Sequence, residues 1–170
     1  MKVMIRIATL SDVNQIAKVI MRAWKVAYTG IVDPEYIKTM NKDKYVSIFK
    51  DNISKQKEII FVYYEKEVKG FVSGKEHKGE YDCEIVGLYV DPENQGRGIG
   101  KLLFQKMEEE FTLRGKSSLI VWTLDNADNH GFYIKMGGVK KENKLLEYGG
   151  KSYSGVGFRF DLNMDMIKVF

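Results

Sequence analysis

The segment Leu88-Tyr89-Val90-Asp91-Pro92-Glu93-Asn94-Gln95-Gly96-Arg97-Gly98-Ile99-Gly100-Lys101 constrains this chain more than any other part of it. Strand-forming residues end in a polar turn, and three glycines then lead into a helix that carries Leu102, Leu103, Met107 and Phe111 on one face. Glycines at such a junction let the backbone adopt positive φ and come close to a ligand. The unpaired N–H groups of the helix's first turn converge on a point where the helix dipole favours negative charge. Arg97 and Lys101 add positive charge beside that point. The segment therefore predicts a cradle for a phosphate or pyrophosphate.

Two well-known phosphate loops do not fit it. A P-loop carries a magnesium-binding hydroxyl after its Gly-Lys pair, but Gly100-Lys101 is followed by Leu102, and Gln95 stands where the first glycine belongs. A dinucleotide fingerprint needs a glycine close behind the strand and another three residues after the second. Here that last position is Lys101, and a long turn separates Val90 from Gly96.

The remaining pattern alternates strands with helices. Val3 to Ala8 reads as a strand, and Thr9-Leu10-Ser11-Asp12 as a capping box opening a helix to about Tyr28. Asp33-Pro34 starts a further short helix, and Tyr45, Ile48 and Phe49 suggest another. Ile59 to Tyr64 and Val68 to Lys75 form a hairpin about Glu65-Lys66-Glu67. Glu84 to Val90, Ser118 to Thr123, Lys144 to Tyr148 and Ser154 to Leu162 complete about seven strands, with helices over Gly98 to Arg114 and Asn129 to Met136. With 170 residues and 44% hydrophobic content, residues 1–170 are expected to form one mixed α/β domain.

Several function classes drop out on composition. The only cysteine is Cys83 and the only histidines are His77 and His130, so neither a disulfide nor a structural zinc cluster is expected, and no metal. There is no signal-peptide pattern and no apolar run of membrane-spanning length, so the default expectation is a cytoplasmic protein without a membrane partner. The net charge is +4, from 27 basic and 23 acidic residues, and the basic residues are scattered. No nucleic-acid stripe is expected from such a distribution.

The glycine loop resembles the acetyl-coenzyme A loop of the GNAT N-acetyltransferases, whose signature is Gln or Arg, two residues, Gly, one residue, then Gly or Ala. Gln95, Gly98 and Gly100 match it, and Leu88-Tyr89-Val90-Asp91-Pro92 ahead of them is typical of that family. A second match follows at the expected distance. Asn126, Asn129, Phe132-Tyr133, Lys135 and Gly137 are similar to the family's Asn-x-x-Ala-x-x-Phe-Tyr-x-Lys-x-Gly-Phe segment. Asn129 replaces the usual small residue there, and Gly138-Val139 replaces the final Phe. The order of elements from Val3 to Leu162 also follows the family.

The resemblance implies the GNAT-like acyl-CoA N-acyltransferase fold, with a mostly antiparallel sheet of about seven strands flanked by helices. It implies acetyl-CoA as cosubstrate and direct transfer of its acetyl group to a primary amine of a small molecule (polyamine or aminoglycoside-like) or a peptide. Backbone groups of Leu88, Tyr89 and Val90 would then hold the pantetheine arm and thioester. Those of Gln95, Gly96, Arg97, Gly98, Ile99, Gly100 and Lys101 would hold the pyrophosphate, with Asn126, Asn129, Tyr133 and Lys135 as further cofactor contacts. Tyr133 would be the general acid for the departing thiolate and Glu84 the general base. Trp24, Tyr28 and Gly30 to Pro34 are expected on the acceptor side, with Trp24 in the core. His130 reads as a surface residue and Cys83 as a small apolar filler. Homodimers occur in the family, and a non-catalytic acetyl-CoA-binding module on the same fold is the alternative.

Overall fold

The computed structural model describes residues 3–166. Strand β1 (Met4–Ile7) leads into helix α1 (Val13–Tyr28), followed by α2 (Pro34–Lys38) and α3 (Lys42–Ser54). Strands β2 (Ile59–Glu65), β3 (Glu67–Glu76) and β4 (Cys83–Val90) come next, then α4 (Ile99–Leu113), β5 (Ser118–Leu124), α5 (His130–Lys135), β6 (Val139–Tyr148) and β7 (Lys151–Asp161). The seven strands form one sheet in the order β1-β2-β3-β4-β5-β7-β6. Every neighbouring pair is antiparallel except β4 with β5, the pair joined by the α4 crossover that parallel strands require.

Side-chain alternation along the strands divides the core between the two faces of the sheet. On one face Phe61, Val72, Ile85, Leu119, Val121, Phe158 and Phe160 pack with Leu103, Phe104, Met107 and Phe111 of α4. On the other, Ile60, Val62, Phe71 and Leu124 pack with Ile16, Ile20 and Trp24 of α1 and Phe49 of α3.

The capping box at Thr9 has a wider role than starting a helix. It opens a 3-10 turn over Leu10–Asp12 that runs directly into α1. The Asp12 carboxylate accepts from the Thr9 N–H at 2.8 Å and from both Arg6 guanidinium nitrogens at 2.7 and 2.9 Å. Burial opposes ionisation of this carboxyl, but Arg6 and Thr9 together hold its pKa below the usual carboxylate range. One buried charge thus fixes both β1 and the direction of α1.

The final hairpin is longer than the hydrophobic pattern suggests. β6 starts at Val139 rather than Lys144, and β7 at Lys151 rather than Ser154. The added stretch Val139-Lys140-Lys141-Glu142-Asn143 lacks apolar alternation because β6 is the sheet's edge and is mostly exposed. Backbone pairing to β7 holds it, with a register shift between Lys140 and Glu142, and charges of this kind suit an unprotected edge.

Glu108 of α4 is 8% exposed, and its Oε1 has no hydrogen-bond partner among the described residues. Burial pushes its pKa up from 4.5 to about 7. Between those two values the folded state binds more protons than the unfolded one, so stability falls as pH rises across that interval. Glu108→Gln should remove this fall. Urea unfolding should show the variant gaining midpoint over the wild type at pH 8, with little difference at pH 4, and equal differences at both would contradict it.

Candidate active site

The site begins where β4 and β5 stop pairing. Their register runs Cys83↔Leu119, Glu84↔Ile120 and Ile85↔Val121 and then ends. Opposite that point the β3·β4 ladder shifts register, with Ser73 paired to Gly87 and Gly74 to Ile85, which leaves Val86 as the extra residue of a bulge. The bulge bends β4 away from β5 while β3 keeps hold of it as far as Val90. The Asp91 N–H donates to the Lys69 carbonyl at 2.8 Å across β3. Ladder alternation then turns the N–H groups of Val90 and Leu88 the other way, towards the opening.

Beyond β4, Asp91 caps a 3-10 turn (Pro92–Asn94) by accepting from the Glu93 N–H at 3.0 Å. Asp91 is 6% exposed, and Arg22 of α1 donates to its carboxylate at 2.7 Å. Gly96 and Gly98 then take φ of +75° and +78°. Gly98 is the left-handed N-cap of α4, and a Cβ there would meet nothing within 4 Å. The backbone conformation calls for glycine here, and open space lies in front of it. The N–H groups of Ile99, Gly100 and Lys101 form the first turn of a 15-residue helix and face no preceding turn.

Arg97 lies in the loop and is paired within the chain. Its guanidinium donates to Asn94 Oδ1 and to Glu65 Oε2, each at 2.8 Å, so its charge is shared with a carboxylate of β2. Lys101 is exposed at the head of α4, and Gln95 Nε2 donates to the Val90 carbonyl at 3.3 Å.

Between the parted strands lies a cavity walled by Ile85 to Tyr89, Val121 to Thr123, Asn129, Tyr133 and Tyr28. Tyr133 belongs to the α4 face of the sheet and Tyr28 to the α1 face, so the cavity passes from one face to the other. Tyr133 is 6% exposed, against Phe132 and Phe158 at ring distances of 5.3 and 5.4 Å. Burial, with the Tyr28 hydroxyl nearby, raises its pKa above the ordinary phenol value, so it stays protonated at neutral pH. Asn129, the departure from the expected small residue, accepts from Thr123 Oγ1 at 3.0 Å and bridges β5 to the start of α5. Thr123 also hydrogen-bonds Tyr28, whose pKa burial raises despite that bond.

The structure places other candidates apart from the cavity. Glu84 stands where β4 and β5 are still paired, with its carboxylate 3.9 Å from Lys75 Nζ and 4.0 Å from His77 Nε2. Asn126 and Lys135 are exposed and outside the cavity wall. Tyr89 lines the cavity, but its hydroxyl accepts from Trp24 Nε1 at 3.1 Å on the α1 face. Trp24 is core, as expected, at 5% exposure. His130 is not a plain surface residue: its Nε2 is 3.0 Å from the Leu124 carbonyl and its ring packs edge-on to Phe158. Cys83 donates to the Ser118 carbonyl at 3.2 Å, and burial pushes its thiol up to about 12, which leaves no thiolate for nucleophilic chemistry.

On the α1 face, the loop before α2 is joined to the β6–β7 hairpin. The Asp33 N–H donates to the Tyr153 hydroxyl at 3.0 Å, and Lys151 pairs with the Asp33 carboxylate. Tyr148 of β6 packs on Trp24 at 5.0 Å. Sequence reasoning did not single out Arg22, Thr123 or Tyr148, since nothing local marks them and only the folded chain brings them here. Among the described residues no group of three or more His, Cys, Asp or Glu side chains could hold a metal, and no helix is long and apolar enough to cross a membrane.

Residues 19–137 match the Acetyltransferase (GNAT) family. The uncharacterized N-acetyltransferase YuaI of Bacillus subtilis is 30% identical over 139 residues, covering 77% of each chain. A spermidine N(1)-acetyltransferase of Thermoplasma acidophilum is 26% identical over 144 residues, covering 81% of this chain and 88% of its own. The crystal structure of the PaiA N-acetyltransferase of Thermoplasma acidophilum in complex with coenzyme A superposes with a TM-score of 0.70 at 20% identity, covering 94% of this chain and 100% of that one. The chain belongs to the GNAT family, and its class is that of acetyl-CoA-dependent N-acetyltransferases.

A charged side chain at Gly98 would force a strained φ and place a carboxylate in front of the α4 N-terminus. Gly98→Glu should therefore abolish acetyl-CoA binding in a calorimetric titration while the far-ultraviolet spectrum stays that of the wild type. Retained affinity would show that the anion sits elsewhere.

Proposed function

We propose that this chain transfers the acetyl group of acetyl-CoA directly to a primary amine of a small cationic acceptor, with polyamines as the favoured class. The observation that carries this reading is the cavity between β4 and β5. It runs from the face on which α4 and Tyr133 lie, past Leu88 of β4, to the opposite face of the sheet, where Tyr28 and Tyr89 line it. A thioester could thus be reached from one side and an amine from the other. The 26% identity to a protein named as a spermidine N(1)-acetyltransferase supports the choice of acceptor.

In this reading the first-turn N–H groups from Ile99 to Lys101 and the loop from Gln95 to Gly98 hold the pyrophosphate. The freed N–H groups of Leu88 and Val90 bind the pantetheine arm and polarise the carbonyl. Asn126 and Lys135, both exposed, are left as outer cofactor contacts. The amine nitrogen attacks the thioester carbon, a C–N bond forms and the C–S bond breaks. Tyr133, kept protonated by burial, gives its proton to the departing sulfur. The proton lost by the amine passes to Glu84 through water, since Glu84 adjoins Ile85 of the cavity wall on β4 but does not itself line the cavity.

Thiol release with a panel of spermidine, simple alkylamines and lysine peptides tests the reading, and no turnover with any amine would sink it. Tyr133→Phe should lower kcat by about 10²-fold with little change in the KM for acetyl-CoA. Unchanged turnover at saturation would remove it as the acid. Glu84→Gln should lower kcat near neutral pH and recover as pH rises and the amine loses its proton in bulk water. A uniform loss across the pH range would point to packing instead.

A further inference from the structure

Trp122 carries a feature that the reaction as described leaves unused. It lies on β5 one residue beyond the last residue paired to β4, and it lines the cavity beside Thr123 and Tyr28. Its ring rests on β7 at Gly157, its register partner. A Cβ on Gly157 would come within 3.0 Å of two ring carbons, so the strand is bare there and the indole lies close against it.

Lys144, exposed on the edge strand β6, sets its Nζ 3.9 Å from the centroid of the Trp122 ring. Among the described residues no carboxylate pairs with Lys144. Glu142, which shares the Gly157 register, accepts instead from the Tyr81 hydroxyl. An ammonium this close to an indole face, with no counter-ion, is held by the ring's quadrupole. The same surface would attract any other ammonium that reached the acceptor side. A lysine side chain with four rotatable bonds on an exposed edge strand gives way readily to such a competitor.

We infer that the Trp122 ring is the binding platform for the non-reacting ammonium of a di- or polyamine acceptor, and that Lys144 occupies it as an in-chain stand-in when no acceptor is bound. This rests on the reading that the acceptor is a primary amine. A diamine or polyamine presents a second ammonium a few methylenes from the nitrogen that enters the cavity. That spacing distinguishes it from a monoamine, which leaves the ring to Lys144.

The test is the ratio of the KM for spermidine to the KM for n-butylamine, together with calorimetric binding of spermidine in the presence of coenzyme A. Lys144→Met should lower the ratio several-fold and tighten spermidine binding. Trp122→Leu should raise the ratio about tenfold, and Trp122→Phe, which keeps a ring, should raise it less. Should Trp122→Leu fail to fold, Lys144→Met and Trp122→Phe decide alone. A ratio and a spermidine affinity unmoved by Lys144→Met would overturn the inference, leaving the contact as strand packing. If no amine is acetylated yet spermidine binding still responds to Lys144→Met, the catalytic reading fails and the platform stands.

Discussion

The arrangement depends on a parallel strand pair that is abandoned after three residues. In a fully zipped sheet every inward backbone group of β4 would be bound to β5, and nothing could pass between them. The extra residue Val86 prevents that, because it shifts the β3·β4 register and bends the strand while β3 keeps its grip. The freed edge gives N–H groups facing an opening, and the opening is lined from both faces of the sheet. One inserted residue thus leaves part of the β4 edge unpaired with β5.

Two charge contacts hold the surrounding elements around that opening. Asp12, bound by Arg6 and by the Thr9 backbone, sets the entry of α1 against β1. Nearly three turns further along, in α1, Arg22 reaches the buried Asp91 at the end of β4. The turn that delivers the chain to α4 is therefore anchored to the helix on the opposite face. A buried carboxylate of this kind is costly to leave unpaired, so the turn and α1 are coupled in position. Helix α1 contributes Trp24 and Tyr28 on that face, and so the two sides of the cavity share one support.

Much of this was legible in the sequence, for identifiable reasons. The glycine loop could be read because positive φ demands glycine and because a helix N-terminus after a strand has few uses. The strands of the centre could be read because Ile59 to Val62 and Ile85 to Val90 are rich in strand formers. The first half of β6 could not, because an edge strand is held by backbone pairing and its Lys-Lys-Glu-Asn sequence reads as a loop. The bulge at Val86 is invisible too, since no composition marks it and only the register against β3 reveals it. Charge partners are not legible either: Arg97 adds positive charge beside the loop, but its pairing with Glu65, 32 positions earlier, is visible only in the folded chain. Trp122 gave no signal, since its meaning comes from the bare strand at Gly157 and from Lys144 on the next strand.

The β6–β7 hairpin is fastened to the loop before α2 by Tyr153, Lys151 and Asp33, and to α1 by the packing of Tyr148 on Trp24. None of these contacts involves the turn from Asp91 to Gly98. The hairpin and that loop consequently form a module that reaches the glycine turn indirectly, through α1, with Trp24 on one side and Arg22 on the other. In a duplicated copy of this chain, substitutions could accumulate along Lys144 to Tyr153 and redirect the choice of partner molecule while the other half of the sheet stayed under its original constraint. Variation confined to one hairpin offers a physical route by which a single scaffold diversifies.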